Sequence, residues 1–148
     1  MSEPEKNVRW KQHFQNYRRV FDLLSTALTE KEINEYSLLE QEGIARRLRY
    51  AIEFGWKTFK DYLEFCGVAL TEMTARSVIK ECAVVGTFSE AGIDGNIYLD
   101  MILARNALSH TYDIGRFTNI MAKMKSDYLP ELEKEYAFFV NKELHENG

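Results

Sequence analysis

The sequence predicts an all-α protein, an antiparallel up-and-down bundle of four to five helices, and three observations predict it. Apolar residues recur at alternating spacings of three and four through most of the chain. No run carries the period-two alternation of a half-buried strand, and the connections between periodic runs are short and polar. The 148 residues, 45% of them hydrophobic, suffice for one domain with a real core, read here as spanning residues 1–148.

The first helix is read from Trp10, Phe14, Tyr17, Phe21, Leu24 and Leu28, which fall on one stripe while Lys11, Arg18, Arg19 and Asp22 fall off it. After the connection "TEKEINEYS", a second stripe runs through Ile44, Leu48, Ala51, Ile52, Gly55, Phe59, Tyr62 and Cys66. Its opposite side carries Arg46, Arg49, Glu53, Lys57 and Lys60, the pattern of a solvated face and also of a track for a phosphate backbone. Thr74 is placed to cap a short third helix through Val78, Ile79, Cys82 and Val85, with Gly86 closing it. "EAGIDGN" reads as a loop whose aspartate caps the next helix. That helix runs from about Asn96 to Ser109. The last long run, from Ile114 through Ile120, Met124 and Tyr128, meets Pro130, which should kink or restart it before Leu132, Tyr136 and Phe139.

Charge limits the function classes. Nineteen basic against 23 acidic residues give a net charge of −4, so any binding of RNA or nucleotide must come from a local patch and not from a global field. Cys66 and Cys82 both lie on apolar stripes, away from metal-ligand spacing, and are expected to be buried thiols. The polar start "MSEPEKNVRW" and the lack of a long apolar run point to a cytoplasmic protein with no membrane association.

Against this background "NIYLDMILARNALSHTYD" stands apart. The helix from Asn96 to Ser109 holds two charged residues, Asp100 and Arg105, and apolar side chains cover nearly every side, so it should be central or shared with a second subunit. Arg105 falls within about 20° of Tyr98 on the helical wheel, which sets a guanidinium on an apolar face in need of a partner from another helix, a second subunit or a phosphate. Asp113 looks like the N-cap of the next helix, leaving His110, Thr111 and Tyr112 as a corner. An imidazole near neutral titration beside a forked cation supplies two requirements of metal-independent phosphodiester cleavage: a proton carrier and a charge for the phosphorane.

Arg-x4-His alone is a weak signal among nine arginines and three histidines. Its setting is more specific. "RNALSHTYD", after an apolar helix beginning "IYLDM" and before an Asp-capped helix with a late proline, resembles the HEPN family, and more closely its branch of nucleotidyltransferase substrate-binding proteins related to HepT toxins. The resemblance implies a two-component, toxin–antitoxin-like system whose other member is a small nucleotidyltransferase encoded nearby. It further implies that Arg105 and His110 form the ribonuclease motif, that Asn106 fills the polar position beside the arginine, and that Tyr112 is the tyrosine a partner enzyme adenylylates. Ser109, within the same string, is counted with Asn106 as a substrate-binding residue.

Each of these residues also has a packing role open to it: a paired arginine, a helix-end histidine, a local cap, a tyrosine closing the corner. A di-metal carboxylate bundle is excluded, because the residues three before His13, His110 and His145 are Trp10, Ala107 and Lys142 where glutamate is needed. No P-loop, dinucleotide fingerprint or Gly-Ser turn with paired aspartates occurs, so no cofactor or metal is expected, and the chain resembles the partner of a nucleotidyltransferase and not the transferase. Two classes stay open: a homodimeric endoribonuclease with the two "RNALSH" segments facing each other, and a non-catalytic subunit that binds a small nucleotidyltransferase and presents Tyr112 or a bound substrate to it. A non-catalytic nucleotide-binding or structural bundle dimer is the alternative.

Overall fold

The computed structural model describes residues 2–110 and 113–147, and for His110, Glu146 and Asn147 the backbone alone. Among the described residues all regular structure is helical. Helix α1, Glu3–Glu30, begins at Ser2, whose hydroxyl accepts from the Glu5 amide, and buries the whole expected stripe from Trp10 to Leu28. A seven-residue connection with one 3-10 turn, Ile33–Glu35, leads to α2, Leu38–Phe65, which opens on a reciprocal capping box between Ser37 and Glu40. Arg47 donates to the Leu23 carbonyl at one end of this pair, and His13 hydrogen-bonds Asp61 at the other. Those pairings make α1 and α2 an antiparallel hairpin.

Helix α3, Ala75–Val84, starts at Thr74 as expected. The chain then reverses through Gly86, with φ at +90°, a backbone setting that costs glycine least. Part of the segment expected to be loop is helical: α4, Thr87–Ala91, is a single short turn whose Phe88 is buried, and its five residues are too few to show a period. Two further expectations are corrected here. Cys66 is exposed, because α2 ends at Phe65 and the stripe has run out, whereas Cys82 is buried as expected. Val85 is exposed as well, lying just past the end of α3.

Asp94 caps α5, Gly95–His110, by accepting from the amides of Asn96 at 2.9 Å and Ile97 at 3.3 Å. Its own amide donates to Glu131 on the last helix, which fixes where α5 begins. Asp113 caps α6, Ile114–Lys123, through the Arg116 amide. A π-helical turn, Met124–Tyr128, then leads into α7, Leu129–Asn147, with Pro130 in its first turn. The expected break is therefore a π-turn, which absorbs the backbone bond that the proline ring cannot donate.

The core is aromatic. Phe59 from α2 meets Phe139 from α7 at 4.9 Å and Phe88 at 5.1 Å between ring centroids, and Trp10 meets Tyr62 edge-on at 5.4 Å. Helix α5 packs on α2, α3 and the π-turn. It is not enclosed on every side: Leu103 at its middle is 54% exposed.

Candidate functional site

The antiparallel run of α2 against α5 brings Glu53 opposite Arg105. Arg105 Nη1 lies 2.7 Å from Glu53 Oε2, and the Arg105 side chain is only 19% exposed. The neighbouring Asn106 turns its Oδ1 back onto the same guanidinium, accepting from Nε at 3.2 Å and Nη2 at 2.8 Å. A guanidinium has five N–H donors. Among the described residues three of them are engaged in these bonds, which leaves one on each terminal nitrogen for a further acceptor.

Glu53 gathers more than the arginine. Its Oε2 also accepts from Trp56 Nε1 at 3.3 Å, and Lys57 Nζ stands 3.2 Å from its Oε1. Partial burial by itself pushes the carboxyl up, but the hydrogen bonds from Trp56 and Lys57 and the charges of Arg105 and Lys57 bring it below its ordinary range. The carboxylate is therefore ionised at neutral pH.

These side chains line an open cleft of about 420 Å³ bounded by Arg49, Tyr50, Glu53, Trp56, Arg105, Asn106 and Ser109. Tyr50 on its rim is flanked by two cations, with the Arg46 guanidinium 5.4 Å and the Arg49 guanidinium 5.8 Å from its ring centre. The face that the sequence left between solvated surface and phosphate track thus borders the Arg105 cleft.

Of the expected site residues, Arg105 and Asn106 are together, with Asn106 orienting the guanidinium. Ser109 is at the cleft, its hydroxyl donating to the Arg105 carbonyl at 3.0 Å. His110 is the last residue of α5, so the helix runs one residue further than expected, and its side chain lies outside the described residues. Tyr112 also lies outside the described residues. Arg49 and Glu53 were foreseen only as members of the charged face of α2 and Trp56 not at all, and none was linked to Arg105, from which they stand 56, 52 and 49 positions away.

At Gly55, two residues after Glu53 on α2, a second polar pair spans the bundle. Tyr98 Oη donates to Glu135 Oε1 at 2.6 Å, and both residues are fully buried. Gly55 of α2 makes room for them: a Cβ there would stand 2.7 Å from the Tyr98 hydroxyl and 2.9 Å from Glu135. Burial pushes the Glu135 carboxyl up to about 8, while the Tyr98 hydrogen bond partly opposes the rise.

The class that these features define is an all-α bundle with a guanidinium-bearing cleft between two antiparallel helices. The profile of the family described as nucleotidyltransferase substrate binding protein like matches residues 12–141, and the chain belongs to that family. The matched span contains the whole cleft and the Tyr98–Glu135 pair. No curated relative matches the chain. No helix among the described residues is long and apolar enough to cross a membrane.

Proposed function

We propose that this chain is the HEPN-type subunit of a two-component, toxin–antitoxin-like nucleotidyltransferase system, and that its Arg105 cleft holds a phosphate group of RNA or of a nucleotide. The observation that carries this reading is the Arg105 guanidinium, oriented by Asn106 at the edge of an open cleft that also presents Arg49, Tyr50 and Trp56. A planar fork fixed in this way suits bidentate recognition of phosphate, and nearby aromatic rings offer a face to a base.

In the catalytic form of the proposal, Arg105 stabilises charge on phosphorus and His110 moves protons. The RNA 2′-oxygen attacks the adjacent phosphorus, the bond to the 5′-oxygen breaks, and the products are a cyclic phosphate and a 5′-hydroxyl. Asn106 and Ser109 line the substrate's path, and two subunits pair through α5, whose exposed Leu103 favours such a contact. In the regulatory form, the Tyr112 phenol attacks the α-phosphorus of ATP in the partner's active site and pyrophosphate leaves. The partner must activate the phenol, whose ordinary pKa is ~10.

One experiment addresses both forms. The purified chain is incubated with single-stranded RNA, with and without its nucleotidyltransferase and ATP, and followed by gel and intact mass. Cleavage that His110→Ala lowers by ~10²- to 10⁴-fold and Arg105→Ala also lowers supports the ribonuclease. An added AMP that Tyr112→Phe abolishes supports the regulatory step. Binding of the partner with neither event leaves a non-catalytic subunit, and the absence of partner binding removes the two-component reading.

A further inference from the structure

We infer that Glu53 is the resident competitor of the anionic ligand: its carboxylate occupies the place of the ligand's phosphate in the Arg105 cleft and must be displaced when the ligand binds. The inference rests on the proposed reading of Arg105 as a phosphate-holding residue. Its own support is geometric. Three donors from two helices, Arg105 Nη1 at 2.7 Å, Trp56 Nε1 at 3.3 Å and Lys57 Nζ at 3.2 Å, converge on this one carboxylate at the edge of an open cleft. Convergent cationic and indole N–H donors are what an anion site consists of, and a phosphate oxygen satisfies the same three.

The arrangement permits the exchange. Glu53 is 35% exposed, so its carboxylate can swing into water without a large desolvation change. Arg105 keeps its place when Glu53 leaves, because Asn106 holds the Nε–Nη2 edge independently. A fixed internal carboxylate also selects among ligands. A small monoanion gains from the three donors no more than Glu53 already does, whereas a ligand with several phosphates reaches Arg49 on the same cleft wall while it displaces the carboxylate. Glu53 is thus a specificity-determining residue that favours polyphosphate or phosphodiester ligands.

The test measures binding to the full-length chain by fluorescence anisotropy. Two probes separate the phosphate sources: a fluorescein-labelled 2′-O-methyl single-stranded RNA, which lacks the attacking hydroxyl and stays intact, and a fluorescent ATP analogue. Glu53→Gln keeps the side chain's shape and an acceptor for Trp56 but removes the competing charge, and it is expected to tighten one or both probes by roughly 3- to 10-fold. Glu3→Gln is the charge control: it lies in the exposed first turn of α1, on the far side of the Arg9 and His13 contacts to Asp61 from Glu53, and it is expected to change binding by less than about 2-fold. Arg105→Ala and Arg105→Lys should both weaken binding. If Glu53→Gln binds as wild type does or more weakly, or if Glu3→Gln gains as much, while Arg105→Ala still loses affinity, the competitor role is overturned and the phosphate-site reading stands. If Arg105→Ala binds as tightly as wild type, the phosphate-site reading falls and the inference with it.

Discussion

Two stretches of the seam between α2 and α5 lie less than a turn apart on α2 and treat a carboxylate in opposite ways. At the cleft, Glu53 is part-exposed, receives three donors and stays charged. At Gly55 the seam closes over Glu135, which is 0% exposed, has Tyr98 as its hydrogen-bond donor, and finds no hydrogen-bond partner for Oε2 among the described residues. Without a compensating cation, burial raises Glu135 to about 8 and leaves it neutral below that pH. Charge state along this seam is therefore set by donor count and water access and not by residue type. The open end keeps a charge that can be exchanged, while the closed end keeps a carboxyl that is part of the packing.

The contrast between the two ends is most vulnerable to pH. The Glu135 carboxyl titrates at about 8 in the folded chain against an ordinary value of 4.5, so its contribution to stability is fully present below pH 4.5 and is lost as pH rises through 8. Tyr17 faces it from α1, Tyr98 from α5 and Cys82 from α3, and burial raises all three, so they stay neutral across that window. Each unit of the interval is worth about 1.4 kcal/mol, so wild type should lose several kcal/mol relative to Glu135→Gln between pH 5 and pH 8. Urea unfolding of both proteins at several pH values checks this. Parallel curves would mean that Glu135 reaches a cation or water after all.

A smaller effect is expected at Gly55. Alanine there gains ~1 kcal/mol of helix propensity but drives a methyl group against Tyr98 and Glu135, both of which are fully buried. A net loss of about 1–3 kcal/mol is expected. The same substitution at Gly43, on the same helix with nothing within 4 Å, should stabilise by about 0.4–1 kcal/mol. A gain at both sites would show that the closed end is looser than its distances imply.

Much of the fold is legible in local patterns of the sequence. The stripes from Trp10 to Leu28 and from Ile44 to Tyr62, the caps at Thr74, Asp94 and Asp113, and the break at Pro130 are local patterns, and the structure follows them. Arg105 could be recognised as needing a partner because an arginine on an apolar helix is costly when unpaired. The partner's identity could not be read, since Glu53 belongs to a helix whose register against α5 no local period encodes. Glu135 illustrates a different failure. It lies three residues after Leu132 and four before Phe139, on the face that the period marks as buried, yet a stripe read from its apolar members passes over the acid among them.

At the open end the pair itself should contribute modestly. Glu53 is about one-third exposed and Arg105 less so, which limits their coupling to ~1 kcal/mol in a double-mutant cycle of Glu53→Gln and Arg105→Gln. A coupling of several kcal/mol would make the pair a structural ion pair like those of a core, and the contrast with the closed end would lose its meaning.

The smallest expected effect is at Ser109, and it separates packing from ligand contact most cleanly. Its hydroxyl donates to the carbonyl of Arg105, four residues back on the same helix, a bond that competes with the helix's own ladder and adds little to its stability. Ser109 is exposed, so replacing it by alanine strands no buried group, and alanine is the better helix former. Stability of Ser109→Ala should therefore stay within about 0.5 kcal/mol of wild type. If Ser109 touches the ligand, affinity for the RNA probe falls while the unfolding midpoint does not move. A fall in both would place Ser109 with the packing of α5. No change in either would confine the ligand to the Arg105 side of the cleft.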